Sequence, residues 1–284
     1  MAHRPRWLRP RWRTAAALAV LLPFLSLNGR NAPTEAATRQ LVVIFMENHS
    51  RTSIERSADA DYLKRFEAGG TSFTQYYGVT HPSLPNYLAF ASGSTDGKTG
   101  ADGIRPGAIT EANIWSQLQG ANISWGVYQE SMPSVCSSAV TSGEYALKHN
   151  PATPFYNVFS KPRMCNKVVP YTSFDVNNLP ALSFITPNLC NDMHDCSIAT
   201  GDNWLQARVP AMLAAGAEVV ITFDEGSHST SGGGNIYTAL DGPGIGSSAN
   251  GTTYNHYSLL AAIEDRYGLP RLNGAGNVQA LPLA

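Results

Sequence analysis

Ser83 lies in Thr80-His81-Pro82-Ser83-Leu84-Pro85-Asn86-Tyr87, a hydroxyl between two prolines with an imidazole two residues before it. A serine is a poor nucleophile until its proton is removed or its pKa is lowered. Two acidic clusters far away in the sequence could supply that activation. Met46-Glu47-Asn48-His49 follows the apolar run 41–45, and Asp224-Glu225 follows the apolar run 219–223. Carboxylate and amide oxygens bind hard or borderline divalent cations. A bound cation stabilises an alkoxide. Glu47, Asn48, Ser83, Asp224 and Glu225 are therefore the candidate metal ligands, and the chemistry is metal-assisted attack of a hydroxyl on an electrophile such as phosphorus.

Other polar residues could complete such a site. Asn188, Asp192, His194 and Asp195 share the loop 187–196, which Cys190 and Cys196 could pinch into a rigid shape. His194 is a candidate ligand or general acid. Lys148-His149-Asn150 offers a cation and an imidazole for a phosphoryl group. Asn86 could donate to a phosphoryl oxygen, and His256 opens the last helix as a ligand or a cap. His49 and His228 are weaker candidates, and Asp202 reads as a helix cap. Each has a plainer reading when taken singly. Ser83 could be a helix N-cap, Lys148-His149 an exposed basic turn, and any one acid a solvated loop residue.

Placing these groups together requires a scaffold. Runs 41–45, 73–79, 123–128, 181–186 and 218–223 read as strands, the first a buried parallel one. Helical spacing covers 58–68, 85–91, 114–118, 204–215 and 256–267, with Ser83 at a helix N-terminus. Residues 130–180 read as irregular, and 226–234 as a Gly/Ser-rich loop. Strands alternating with helices predict an α/β fold with a mainly parallel central sheet flanked by helices. Ligands of such sheets bind beyond the carboxyl ends of strands. Polar clusters follow Phe45, Thr186 and Phe223, so these three strand ends should meet.

The chain has 284 residues, 43% hydrophobic and 14% charged, with 25 glycines and 18 prolines. Its first residues differ from the rest. Arg4, Arg6, Arg9, Arg11 and Arg13 precede a short apolar run and then Ala36-Ala37, the layout of a secretory signal peptide. Residues 1–37 are expected to be removed near Ala36 or Ala37, leaving 38–284 as a single secreted domain without a stable membrane anchor. Removal takes away six arginines and one glutamate, leaving 14 basic and 20 acidic side chains, a net of −6. An acidic surface argues against nucleic acid as a partner. Cys136, Cys165, Cys190 and Cys196 allow three disulfide pairings, with a zinc cluster as the rival. Proximity favours Cys136–Cys165 and Cys190–Cys196.

Segments 46–50 (MENHS), 80–93 (THPSLPNYLAFASG), 191–205 (NDMHDCSIATGDNWL), 222–226 (TFDEG) and 255–270 (NHYSLLAAIEDRYGLP) occur in an order that resembles the phosphoesterase family of the alkaline phosphatase superfamily. That family includes bacterial acid phosphatases, some acting on phosphoinositides, and phospholipases C. The resemblance implies an alkaline-phosphatase-like fold and a phosphorylated Ser83. It implies metal ligation by Glu47, Asn48, Asp224 and Glu225. His81, Lys148, His149, Asp192, His194, Asp195 and His256 would surround the phosphate or a second metal position. The superfamily's two-metal enzymes carry Asp-His where this chain has Asp224-Glu225, so one divalent ion, calcium or zinc, fits the resemblance. The expected activity is a secreted, metal-dependent phosphomonoesterase acting on small phosphate esters, phosphoinositide head groups among them. His194 or His149 would protonate the leaving group. The alternatives are a phospholipase C-type phosphodiesterase and a non-catalytic extracellular binding protein.

Overall fold

The computed structural model describes residues 1–3, 39–98, 100–226 and 232–284. The expected signal peptide and His228 lie outside the described residues. Among these residues, eight strands form one sheet: β1 (Leu41–Met46), β2 (Thr71–Phe73), β3 (Trp125–Gln129), β4 (Val168–Pro170), β5 (Leu182–Thr186), β6 (Glu218–Phe223), β7 (Thr238–Asp241) and β8 (Ser248–Asn250). Their order is β8-β2-β7-β6-β1-β5-β3-β4. Strands β6, β1, β5, β3 and β4 run parallel, and β7 lies antiparallel between β6 and β2. The mainly parallel sheet is as expected. Strand β7 and the edge strand β4, which ends in Pro170, lack a long apolar run and left no such signal.

Strands β1, β5 and β6 are buried at every position, as continuous apolar runs covered on both faces must be. Helices α1 (Asp61–Gly69), α2 (Ser83–Ser92), α3 (Ile114–Gly120), α4 (Ile198–Ala214) and α5 (His256–Arg266) supply the cover. Helix α2 packs on α3 and α5, and α1 packs on α4. Asp202 does cap a helix, but across the structure. Its carboxylate accepts from the N–H groups of Tyr62 and Leu63 at 2.8 and 2.9 Å, at the start of α1.

Phe45 shows how the sheet holds α2 in place. Its ring lies 5.3 Å from Tyr87 and Phe90 of α2 and 4.9 Å from Phe184 of β5. Replacing Phe45 with Ala would cost about 3–5 kcal/mol as a buried cavity. It would also loosen the helix that carries Ser83. The disulfides Cys136–Cys165 and Cys190–Cys196 both form. No helix among the described residues is long and apolar enough to cross a membrane.

Candidate active site

The register of β1 and β6 pairs Met46 with Phe223, so Glu47 and Asp224 leave the sheet side by side. Backbone bonds lock that exit. The Asp224 N–H donates to Met46 O at 2.9 Å, and the Glu47 N–H donates to Asp192 O at 2.8 Å. Asp192 belongs to the loop after β5, so the three polar clusters meet at one sheet edge. Asn48 has a left-handed backbone, φ 56°, which asparagine tolerates better than most residues. That turn aims its N–H at Asp224 Oδ1, 3.0 Å away.

Ser83 is the first residue of α2 and is buried. It is not the N-cap, a place Pro82 holds. Its hydroxyl donates to Glu47 Oε2 at 2.9 Å and lies within reach of the Asp224 carboxylate. Glu47 also accepts a hydrogen bond from the Tyr87 hydroxyl. The Tyr87 ring stacks on His149, centroids 5.5 Å apart. His149 is buried between two carboxylates, with Nε2 3.2 Å from Glu47 and Nδ1 3.3 Å from Asp192. These approaches lack hydrogen-bond direction: His149 Nε2 and Asp192 Oδ2 have no hydrogen-bond partner.

Four carboxylates therefore crowd one buried place. Burial, then the charges of Asp224 and Asp192, pushes Glu47 well above its usual range. Burial pushes Asp192 up to about 8 and Glu225 up to about 9, with Asp224 adding to both. Asp224 is raised too, by burial, against the pull of its hydrogen bonds. Burial drives His149 well down, so the ring stays neutral, as a metal ligand must be.

A divalent cation fits this donor set. Buried carboxylates are stable as anions when paired or bound to metal, and Asp224 Oδ2 and Asp192 Oδ2 are buried without hydrogen-bond partners. Ligand atoms of Glu47, His149 and Asp192 all lie within 4.8 Å of one another. Two carboxylates and an imidazole suit a borderline ion such as zinc, whereas adding Asp224 oxygens and the Ser83 hydroxyl suits calcium equally.

Several expected roles are redistributed. Asn86 does not face a substrate. Its Oδ1 accepts from Val79 and Thr80 N–H at 2.8 and 3.2 Å, and its Nδ2 donates to Thr80 O and Pro82 O. The amide is used up in shaping the turn before Ser83. His256 is likewise a support. Its Nε2–H donates to Asp224 O at 2.6 Å, and Nδ1 lies 3.2 Å from the Tyr76 hydroxyl. Burial lowers its pKa to about 4, so it holds the Asp224 backbone as a neutral ring. His149, offered above as a proton donor, is too buried and too readily neutral for that task. Glu225 turns aside to His81, whose Nδ1 is 2.5 Å from Oε2. His49 packs edge-on against Phe223. Asn188 braces its own loop, accepting from Asn191 N–H at 2.9 Å.

The outer wall pairs basic with acidic side chains. Lys148 Nζ lies 3.2 Å from His194 Nε2 and 3.2 Å from Asp102 Oδ2. His194 Nδ1 lies 2.6 Å from Asp195, and the His194 N–H donates to Asp192 Oδ1 at 2.8 Å. Asp102 Oδ1 also accepts the Leu84 N–H at 3.0 Å, satisfying an orphan donor in the first turn of α2. Tyr87 and Asp102 were not among the sequence candidates. Tyr87 had a signal, because it lies four residues after Ser83 on the same helical face. Asp102 had none.

Comparison with known proteins places the chain in a family. The model of the Phosphoesterase family matches residues 45–270. A phosphatidylinositol-3-phosphatase of Mycobacterium tuberculosis is 32% identical over 95% of this chain and 94% of its own. A phosphate-repressible acid phosphatase of Penicillium chrysogenum is 33% identical over 90% of this chain, which spans 65% of that longer enzyme. Among solved structures, an alkaline phosphatase superfamily protein of Vibrio parahaemolyticus superposes with a TM-score of 0.59 at 10% identity. It covers 87% of this chain and 70% of its own, a likeness of fold.

Proposed function

This chain belongs to the Phosphoesterase family, and from that premise we propose that it is a metal-dependent phosphomonoesterase in which Ser83 is transiently phosphorylated. The observation that carries this reading is the Ser83 hydroxyl donating to Glu47 inside a cluster of buried carboxylates. Glu47, His149, Asp192 and Asp224 would hold a divalent cation, with Asn48 and Glu225 around them. When bound, that cation offsets the carboxylate charge and lowers the pKa of the serine hydroxyl.

The chain's own residues then divide the work. Ser83 Oγ forms the bond to phosphorus as the P–O bond to the alcohol breaks, and the serine proton passes to Glu47 Oε2 along the existing hydrogen bond. Lys148 neutralises phosphoryl oxygens, for which it must release Asp102. Once Lys148 has also moved off Nε2, His194, backed by Asp195, gives the proton carried at Nε2 to the departing alcohol oxygen. In the second half a water oxygen attacks phosphorus and its proton goes to His194. Ser83 Oγ leaves and recovers its proton from Glu47, and inorganic phosphate is released. Tyr87 keeps Glu47 oriented throughout.

Substrates are proposed to be phosphomonoesters, phosphoinositide head groups among them, as the names of the mycobacterial and fungal relatives suggest. Export is supported by the basic and apolar N-terminus and by two disulfides, which persist in oxidising compartments. Rapid acid quenching of the enzyme with p-nitrophenyl phosphate, followed by peptide mass mapping, tests the mechanism. A phosphoryl group on the Ser83 peptide is expected. Turnover without any such adduct, together with an active Ser83→Ala variant, would refute it.

A further inference from the structure

Two adjoining cavities lead away from the wall formed by Lys148 and His194, and the chemistry changes along them. The inner one, about 370 Å³, begins at Lys148 and His194 and continues over Ile104, Val140, Ala146 and Leu189. The outer one, about 480 Å³, shares Gly103, Ile104 and Val140 with it and ends at Lys98 and Arg105. A ligand could therefore run from one into the other without leaving the surface.

The charges along this path are unevenly balanced. At the inner end, Asp102 is paired with Lys148 and Asp195 with His194. In this arrangement each acid faces a basic side chain, and the Asp102 charge is freed only when Lys148 turns to the scissile phosphate. The middle is apolar: Ile104 is buried, while Val140 is about half exposed, among the most exposed large apolar side chains described. At the outer end, the Lys98 and Arg105 side chains have no ion-pair or hydrogen-bond partner among the described residues. Two uncompensated cations at the end of one groove stand out on a mature chain whose net charge is −6. Exposed cations in an acidic surface attract anions selectively. An apolar stretch of groove gains from contact with hydrocarbon.

We propose that the groove from Lys148 past Ile104 and Val140 to Lys98 and Arg105 receives the leaving group of the substrate, which joins an apolar segment to a second anionic group. The preferred substrate class is then a phosphomonoester carrying a distal phosphate or carboxylate, with the scissile phosphate at Ser83 and the second anion at Lys98 and Arg105. This rests on the phosphomonoesterase reading above.

The test uses two matched series, n-alkyl monophosphates and α,ω-alkanediol bisphosphates of increasing length, with the full-length mature enzyme. At one spacer length, kcat/KM for the bisphosphate should exceed that of the matched monophosphate by about tenfold, the scale of one added charge-assisted contact. Added salt should shrink the advantage. The double variant Lys98→Glu, Arg105→Glu should lose it while turning over the alkyl monophosphates within about twofold of the unaltered enzyme. Equal kcat/KM for the two series at every length, or an advantage that survives charge reversal, overturns the proposal. ω-Carboxyalkyl phosphates show whether any anion or a phosphate is required. Calorimetric titration of the bisphosphates into the Ser83→Ala variant reads binding apart from chemistry. Tighter bisphosphate binding lost on charge reversal supports the groove even if no ester is hydrolysed, which would instead refute the phosphomonoesterase reading. Hydrolysis of both series without that binding gain refutes the groove alone.

Discussion

Strand β6 carries a buried carboxylate at each end, Glu218 at its start and Asp224 just past its finish, and the two ends are built differently. Glu218 lies 2.5 Å from the buried Arg266 guanidinium and 3.7 Å from Arg39. Its charge is answered by the protein itself. Asp224 faces Glu47 and Asp192 and has no cationic side chain against it among the described contacts. A buried ion costs several kcal/mol unless it is paired. The same sheet thus completes its ion pair where charge is structural and leaves it incomplete where a ligand is to complete it.

Substitutions can break this contrast. The largest effect is expected for Ser83→Ala. Loss of the nucleophile should reduce turnover of p-nitrophenyl phosphate by about 10⁴-fold or more, with circular dichroism unchanged. Next come the two ends of β6, compared directly. Asp224→Asn should lower kcat by about 10³-fold, yet raise the melting temperature of chelator-treated protein, because one of the crowded negative charges is gone. Glu218→Gln should do the reverse. It takes the carboxylate from the buried Arg266, which keeps only the Ala284 oxygen and a neutral amide, costing about 3 kcal/mol in denaturant unfolding, while kcat per folded molecule is retained. Equal destabilisation by the two substitutions would erase the distinction.

Tyr87→Phe is a milder probe of the active end. It removes one hydrogen bond to Glu47 and keeps the ring stacked on His149, so kcat should fall by about tenfold with KM little changed. A rise in KM alone would place Tyr87 outside the chemistry. The smallest effect concerns Glu264, a buried carboxylate away from the site, on α5. Its Oε1 accepts the Leu272 N–H at 2.9 Å, whereas Oε2 has no partner. Burial raises its pKa to about 7. A raised folded-state pKa favours the protonated form. Its stabilising contribution is complete below the ordinary glutamate range and is lost as pH rises through about 7. Glu264→Gln should therefore gain about 1 kcal/mol at pH 8 relative to the unaltered chain, allowing for solvent and Arg271 nearby, and little at pH 5.

The contrast also explains what could be read from the sequence. Continuous apolar runs announced β1, β5 and β6 because a strand covered on both faces is apolar at most positions. Their ends then marked Glu47, Asp192 and Asp224. Helix α2 was legible, and with it the setting of Ser83. The antiparallel β7 and the edge β4 are short and leave no run of that kind. Asn86 and His256 were legible as polar residues near the site but not as supports. Their partners are backbone atoms of Thr80, Pro82 and Asp224, and backbone atoms leave no trace in residue identity. Asp102 reaches α2 from a glycine-rich loop whose path is set by tertiary contacts, so no local spacing gives it away.

The most direct measurement is phosphate release by chelator-stripped enzyme during titration with a divalent ion, calcium and zinc in parallel. Negligible turnover without metal, restored by one of the two ions and not restored in Asp224→Asn, is the expected result. Full turnover of the stripped enzyme would contradict the idea that the carboxylates at the end of β6 gather a cation to arm Ser83.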